Sequence, residues 1–204
     1  MDRDLLDRSL DHAFTQPESL GTTNAMLIVH RGAIVRERYA DGLDAASTHV
    51  SWSMAKSMLH ATIGILVREG RLDVAAAADD PAWRTAGDPR AKITIDQLLK
   101  MRSGLLFHED YVDEHVSHVI EMLFGAGKPD SAAYAAALPL EHEPGSVVSY
   151  ASGTSNILSA LVARVLGARG DAYGEFLRRE LWDRLGMRSA KPRFDEAGHW
   201  IASS

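Results

Sequence analysis

Hydrophobic spacing changes twice along this chain. Over residues 4–14 apolar positions recur at helical intervals and stop before Pro17 and the Gly21-Thr22-Thr23 turn, which predicts a short amphipathic helix. Ala25-Met26-Leu27-Ile28-Val29 and Ala33-Ile34-Val35-Arg36-Glu37-Arg38-Tyr39 then read as two strands. His30-Arg31-Gly32 joins them, with the glycine supplying positive φ. From Met54 to Val67 the apolar residues encircle a helix, which predicts burial on every side and an end at Gly70. Further helices are expected over 94–101, capped by Thr94, and over 114–124, 131–137, 155–166 and 172–185. A hairpin followed by a mainly helical region is an α+β pattern. No internal repeat and no linker divides it, so 1–204 reads as one region, with helix and hairpin in 1–50 and the helical part in 51–204.

Lys56 breaks the apolar pattern of its own helix. Burying an ammonium costs several kcal/mol, about enough to demand either loss of the proton or dedicated partners. Ser53 lies three residues earlier, hence on the same helical face and within reach of the amine. A serine in a first helical turn also has a backbone N–H without an intrahelical acceptor, at the positive end of the helix dipole. Nucleophile, adjacent base and oxyanion donor are the parts of an acyl-transfer site. The plainer alternative makes Ser53 an N-cap and Lys56 a lysine whose amine snorkels to the surface.

Charge and composition narrow the partners. There are 28 acidic against 22 basic side chains, and no basic tract, which argues against nucleic acid or an anionic membrane. The start Met1-Asp2-Arg3-Asp4 lacks a signal-peptide pattern and no long apolar run occurs, so a cytoplasmic location is expected. With no cysteine, disulfides, thiolate catalysis and cysteine zinc sites are excluded. No Gly-x-Ser-x-Gly elbow occurs either, leaving Ser53 as the candidate nucleophile.

Three blocks carry a family resemblance: Ser51-Trp52-Ser53-Met54-Ala55-Lys56-Ser57, Leu98-Leu99-Lys100-Met101-Arg102-Ser103-Gly104-Leu105, and Pro144-Gly145-Ser146-Val147-Val148-Ser149-Tyr150-Ala151-Ser152-Gly153. In this order they resemble the serine β-lactamase-like hydrolases, over residues 20–204. The branch most similar is the class C-like one that includes esterases and aminohexanoate-oligomer (nylon-oligomer) hydrolases; His108-Glu109-Asp110-Tyr111 favours the latter. The resemblance implies a β-lactamase-like fold, an acyl-enzyme on Ser53, proton transfer by Lys56 and Tyr150, and no metal or organic cofactor. A phenol beside a lysine is also a sensible base on chemical grounds, whereas composition alone would make Tyr150 a core tyrosine. By the same resemblance Ser152, where many relatives carry asparagine, is assigned to a hydrogen bond with Lys56 or with the substrate amide, and Tyr111 to substrate contact.

The chain departs from the family at its end, which stops short of a Lys-Thr-Gly or His-x-Gly strand. The expected fold is therefore one with the C-terminal strands of the sheet missing. An unpaired hairpin edge invites self-association, so a homo-oligomer through that edge belongs among the expectations. Two classes of function follow. One is a serine hydrolase cleaving a small ester or linear amide; the other is a binding module that keeps the scaffold without turnover. A β-lactamase or peptidoglycan peptidase is an alternative within the first class. His108, Asp110, Asp113, His115, His118 and Glu121 superficially resemble a metal cluster, but no His-Glu-x-x-His sequence occurs and no metal is expected. Gly125-Ala126-Gly127-Lys128 lacks the first glycine and the Ser/Thr of a phosphate loop.

Overall fold

The computed structural model describes residues 3–111 and 117–204 and divides into two compact units, 1–49 and 50–204.

In the first unit, α1 (Arg3–Thr15) and the single turn α2 (Pro17–Leu20) precede β1 (Ala25–His30) and β2 (Ala33–Tyr39). Pro17 was expected only to stop α1; it also opens α2, because a proline in a first turn gives up an N–H that would be unsatisfied anyway. The strands pair antiparallel from Ala25 opposite Tyr39 to His30 opposite Ala33. That register leaves a two-residue turn in which Arg31 (φ 51°) joins Gly32 (φ 78°) in the left-handed region, the geometry that matches strand twist. A bulge follows: Ile28 faces Arg36 while Val29 faces Ile34. Arg36 bonds Asp7 and Arg38 bonds Asp11, one helical turn apart, so α1 lies along the hairpin. Both pairs are solvent-exposed and worth little individually.

The second unit is helical: α3 (Ala55–Arg68), α4 (Ile95–Leu99), α5 (His118–Phe124), α6 (Ser131–Ala137), α7 (Ser152–Leu166) and α8 (Asp171–Leu177). The hairpin is the one sheet among the described residues. Burial of α3 is one-sided, which corrects the expectation from its composition. Ala55, Leu59, Thr62, Ile63 and Leu66 form the buried stripe, while Met54 is 68% exposed and Ala61 and Gly64 face solvent. A stripe at i, i+4 and i+7 suffices to seat a helix, and each buried aliphatic contributes roughly 1.5–3 kcal/mol. The capping box expected at Thr94 is present, with Gln97 returning the bond to the Thr94 N–H.

The hub is α7, whose residues 152–163 are all buried. It packs on α6, where Ala132, Ala135 and Ala136 permit close approach, and also touches α3, α4 and α5. It begins three residues before the expected 155. Its N-terminal residue Ala151 offers no side-chain cap; the cap comes from a distant residue, as described below. The expected helix over 172–185 is α8 followed by a π-helical turn (Arg178–Trp182) and a 3₁₀ turn (Asp183–Leu185). The wider turn brings Trp182 edge-on to Trp200, with ring centroids 6.4 Å apart. The expected helix over 114–124 is seen from His118; residues 114–116 lie outside the described residues.

Candidate active site

Ser53 sits in a 3₁₀ turn (Trp52–Met54) leading into α3. Trp52 takes φ of 45°, a left-handed conformation that costs a bulky residue on the order of 1–3 kcal/mol. This kink leaves Ser53 exposed at the helix start, and its N–H donates to no backbone carbonyl among the described residues. One turn on, Lys56 is 7% exposed. Its Nζ donates to Ser53 Oγ at 3.0 Å and to Ser152 Oγ at 3.0 Å, and lies 4.9 Å from the centroid of the Tyr150 ring. The amine is thus held by two hydroxyls and an aromatic face. It does not snorkel.

Tyr150 reaches this position from an irregular segment pinned to the end of α4. Ser149 N–H donates to Met101 O (2.9 Å) and Gly145 N–H to Arg102 O (2.8 Å), and Met101 itself takes φ of 55°. Tyr150 is 51% exposed, and among the described residues its hydroxyl bonds neither Ser53 nor Lys56; the ring makes the contact. Ser152 is buried at the first position of α7. Its Oγ donates to Glu109 Oε1 (2.9 Å) and its backbone N–H to Glu109 Oε2 (2.6 Å). Glu109 is therefore the missing cap of α7, supplied from 43 residues upstream, and its charge suits the helix N-terminus. Tyr111, 65% exposed, donates its hydroxyl to the same Oε1 at 2.8 Å. Burial, the Glu109 hydrogen bond, the Glu109 charge and the nearby Tyr150 together push the Tyr111 phenol up to about 12.

All five residues singled out in the sequence, Ser53, Lys56, Tyr150, Ser152 and Tyr111, meet in one constellation of hydrogen bonds and an amine–ring contact. Glu109, which joins two of them, is not among the residues the sequence singles out. Its only signal was its place in the block that ends in Tyr111. Of the histidines weighed as ligands, His118 spends Nδ1 accepting from the His108 N–H (3.0 Å) and stacks on the His108 ring; Asp113 and His115 lie outside the described residues. A different grouping, Asp130, Asp195 and His199, places ligand-type atoms within 4.8 Å of one another. Its carboxylates are engaged by backbone N–H groups of Ala133, Ser131 and His199, which tie the last segment of the chain to α6.

This geometry has relatives. The Beta-lactamase family model matches residues 20–199. The chain belongs to the Beta-lactamase family. A curated 6-aminohexanoate-dimer hydrolase from Paenarthrobacter ureafaciens is 28% identical over 188 residues, 89% of this chain and 47% of that protein. Among solved structures, a Bacillus anthracis protein provisionally assigned as a 6-aminohexanoate-dimer hydrolase superposes with a TM-score of 0.71 at 23% identity, covering 89% of this chain and 49% of its own. The octameric penicillin-binding protein homologue from Pyrococcus abyssi gives 0.65 at 20% identity, covering 98% and 50%. These superpositions show a β-lactamase-like fold. The chain spans about half the length of the relatives it matches. Among the described residues no helix is long and apolar enough to cross a membrane.

Proposed function

We propose that this family member is a serine hydrolase that cleaves a small ester or linear amide through an acyl intermediate on Ser53. The observation that carries the reading is a buried amine 3.0 Å from an exposed serine hydroxyl. Lys56 accepts the Ser53 proton as Oγ bonds the carbonyl carbon; the ester or amide bond then breaks and the leaving group departs with a proton. Water attacks the acyl-serine in a second step, releasing the acid and returning the proton to Oγ. The Ser53 N–H, free of backbone acceptors, is the oxyanion donor. The Tyr150 ring shields the amine from water, and its phenol is a second proton carrier beside the leaving group. Exposed Trp52, Met54, Val147 and Val148 lie next to Ser53 or Tyr150 in the sequence and suit an apolar acyl chain. The Paenarthrobacter relative is a hydrolase of an amino-acid dimer, which favours a linear amide over a lactam.

The test is acylation. The chain is mixed with p-nitrophenyl butyrate, release of nitrophenol is followed, and the adduct is sought by intact-mass and peptide mass spectrometry. An acyl group on Ser53 in the unaltered chain, absent from Ser53→Ala, is the expected result. Equal nitrophenol release by both, with no adduct, would refute the proposal; nitrocefin turnover faster than ester turnover would redirect it to a β-lactamase.

A further inference from the structure

We propose that Glu109 is a positioning residue that sets the direction of the hydrogen-bond chain through the site, keeping the Lys56 lone pair free for the Ser53 proton. The inference rests on the acyl-transfer reading of Ser53 and deepens it.

A carboxylate can only accept hydrogen bonds. Because Ser152 Oγ lies 2.9 Å from Glu109 Oε1, its single proton points at Glu109, and only its lone pairs face Lys56. Lys56 must therefore spend an N–H on Ser152. In the structure the amine donates to Ser53 Oγ, 3.0 Å off; to act as base it must be neutral, with two N–H groups and one lone pair, and with one N–H kept on Ser152 it can turn that lone pair to Ser53 without competition. Released from Glu109, the Ser152 hydroxyl could turn and donate to the amine instead, consuming the lone pair that the reaction needs. Ser152 is 2% exposed, so bulk water does not take over the role of acceptor.

The bonding pattern on Glu109 makes the isosteric amide a sharp probe. Oε2 accepts the Ser152 N–H, while Oε1 accepts both the Ser152 and Tyr111 hydroxyls. In Glu109→Gln the backbone N–H retains the carbonyl oxygen, which puts the NH₂ where Oε1 was. That NH₂ donates to Ser152 Oγ and drives the Ser152 proton toward Lys56. The size and shape of the side chain are unchanged, and the polarity of the chain is reversed.

The experiment compares Glu109→Gln and Glu109→Ala in two backgrounds, unaltered and Ser152→Ala, by the rate of Ser53 acylation with p-nitrophenyl butyrate, by kcat and KM, and by thermal unfolding. With Ser152 present, Glu109→Gln should slow acylation roughly 10- to 100-fold, up to the lower end of a full general-base contribution because the base is misdirected rather than removed, with KM changed less than about threefold. In the Ser152→Ala background no hydroxyl remains to be misdirected, so the same change should cost less than about threefold. Ser152→Asn, which can present its amide oxygen to Lys56 with its NH₂ turned away, should reduce the cost of Glu109→Gln to less than about threefold relative to Ser152→Asn alone. Equal losses in both backgrounds, full activity of Glu109→Gln, or unfolding of both Glu109 variants would overturn the proposal. If the unaltered chain forms no Ser53 adduct, the acyl-transfer reading falls and this one with it; an adduct together with equal losses in both backgrounds overturns this one alone.

Discussion

Gly153→Ala tests whether the start of α7 is locked in place. A Cβ added there would stand 2.5 and 2.7 Å from two Phe107 ring carbons and 2.8 Å from the Ala135 Cβ. Ordinary carbon contacts are about 3.5–4.0 Å, so roughly 1 Å must be found. Phe107 and Ala135 are 4% and 1% exposed and cannot swing outward, and forcing a methyl into such packing costs about 1–3 kcal/mol. Alanine returns at most about 1 kcal/mol of helix propensity. The net loss is then up to about 2 kcal/mol, or as much as roughly 8 °C in the thermal midpoint for a unit of this size. Gly64 is the control: it is also helical, but a Cβ there meets nothing within 4 Å, so Gly64→Ala should raise the midpoint. Function should follow the packing. A 1 Å retreat of residue 152 stretches its bonds to Lys56 (3.0 Å) and Glu109 (2.9 Å) past useful length, and misplacement on that scale can cost on the order of 100-fold in rate. The assays are calorimetric or fluorescence unfolding and Ser53 acylation followed by mass. If Gly153→Ala raised the midpoint as Gly64→Ala does, or acylated at the unaltered rate, α7 would not be wedged against Phe107 and the reasoning would fail.

Lys56→Met keeps the length and apolar stem of the side chain but removes the amine; Ser53 acylation should fall at least about 100-fold while the thermal midpoint stays level or rises, since a buried amine no longer needs desolvating. Retained acylation would remove Lys56 from the mechanism. Asp88 caps the 3₁₀ turn at Pro89–Lys92 and grips Arg90, whose guanidinium donates to the carbonyls of Ala136 and Leu138 at the end of α6. The Arg90 hydrogen bond holds the Asp88 carboxyl below the usual carboxylate range. Its contribution is therefore present above a pH of about 4 and is lost as pH falls through the depressed value. Denaturant titrations from about pH 6 down to about pH 2 should lose less stability in Asp88→Asn than in the unaltered chain, and parallel curves would show that the pair is silent.

Much of the architecture was readable in advance because its signals are local. The hairpin strands are short runs rich in aliphatic and β-branched residues on either side of a glycine turn, and α6 and the Thr94 cap are set by residues within one turn of themselves. Elsewhere a distant partner decides the local structure. The composition of α3 suggested burial all round, yet only one stripe found neighbours. The first turn of α7 carries little local signal because Ser152-Gly153-Thr154 has weak helix propensity, and the carboxylate that caps it sits in another segment. The break of α8 into a π turn follows from the docking of Trp182 on Trp200, which no window around residue 180 contains.

By itself the sequence determined that Ser53 and Lys56 face each other, because a separation of three residues on a helix is a matter of backbone period. Tertiary structure alone decided what the amine meets on its other side. Ser152 lies 96 residues from Lys56, and Glu109 lies 43 residues before Ser152. Which buried acceptor meets which donor depends on how α7 packs against α3, α4 and α6, a sum of many weak contacts that no local pattern encodes.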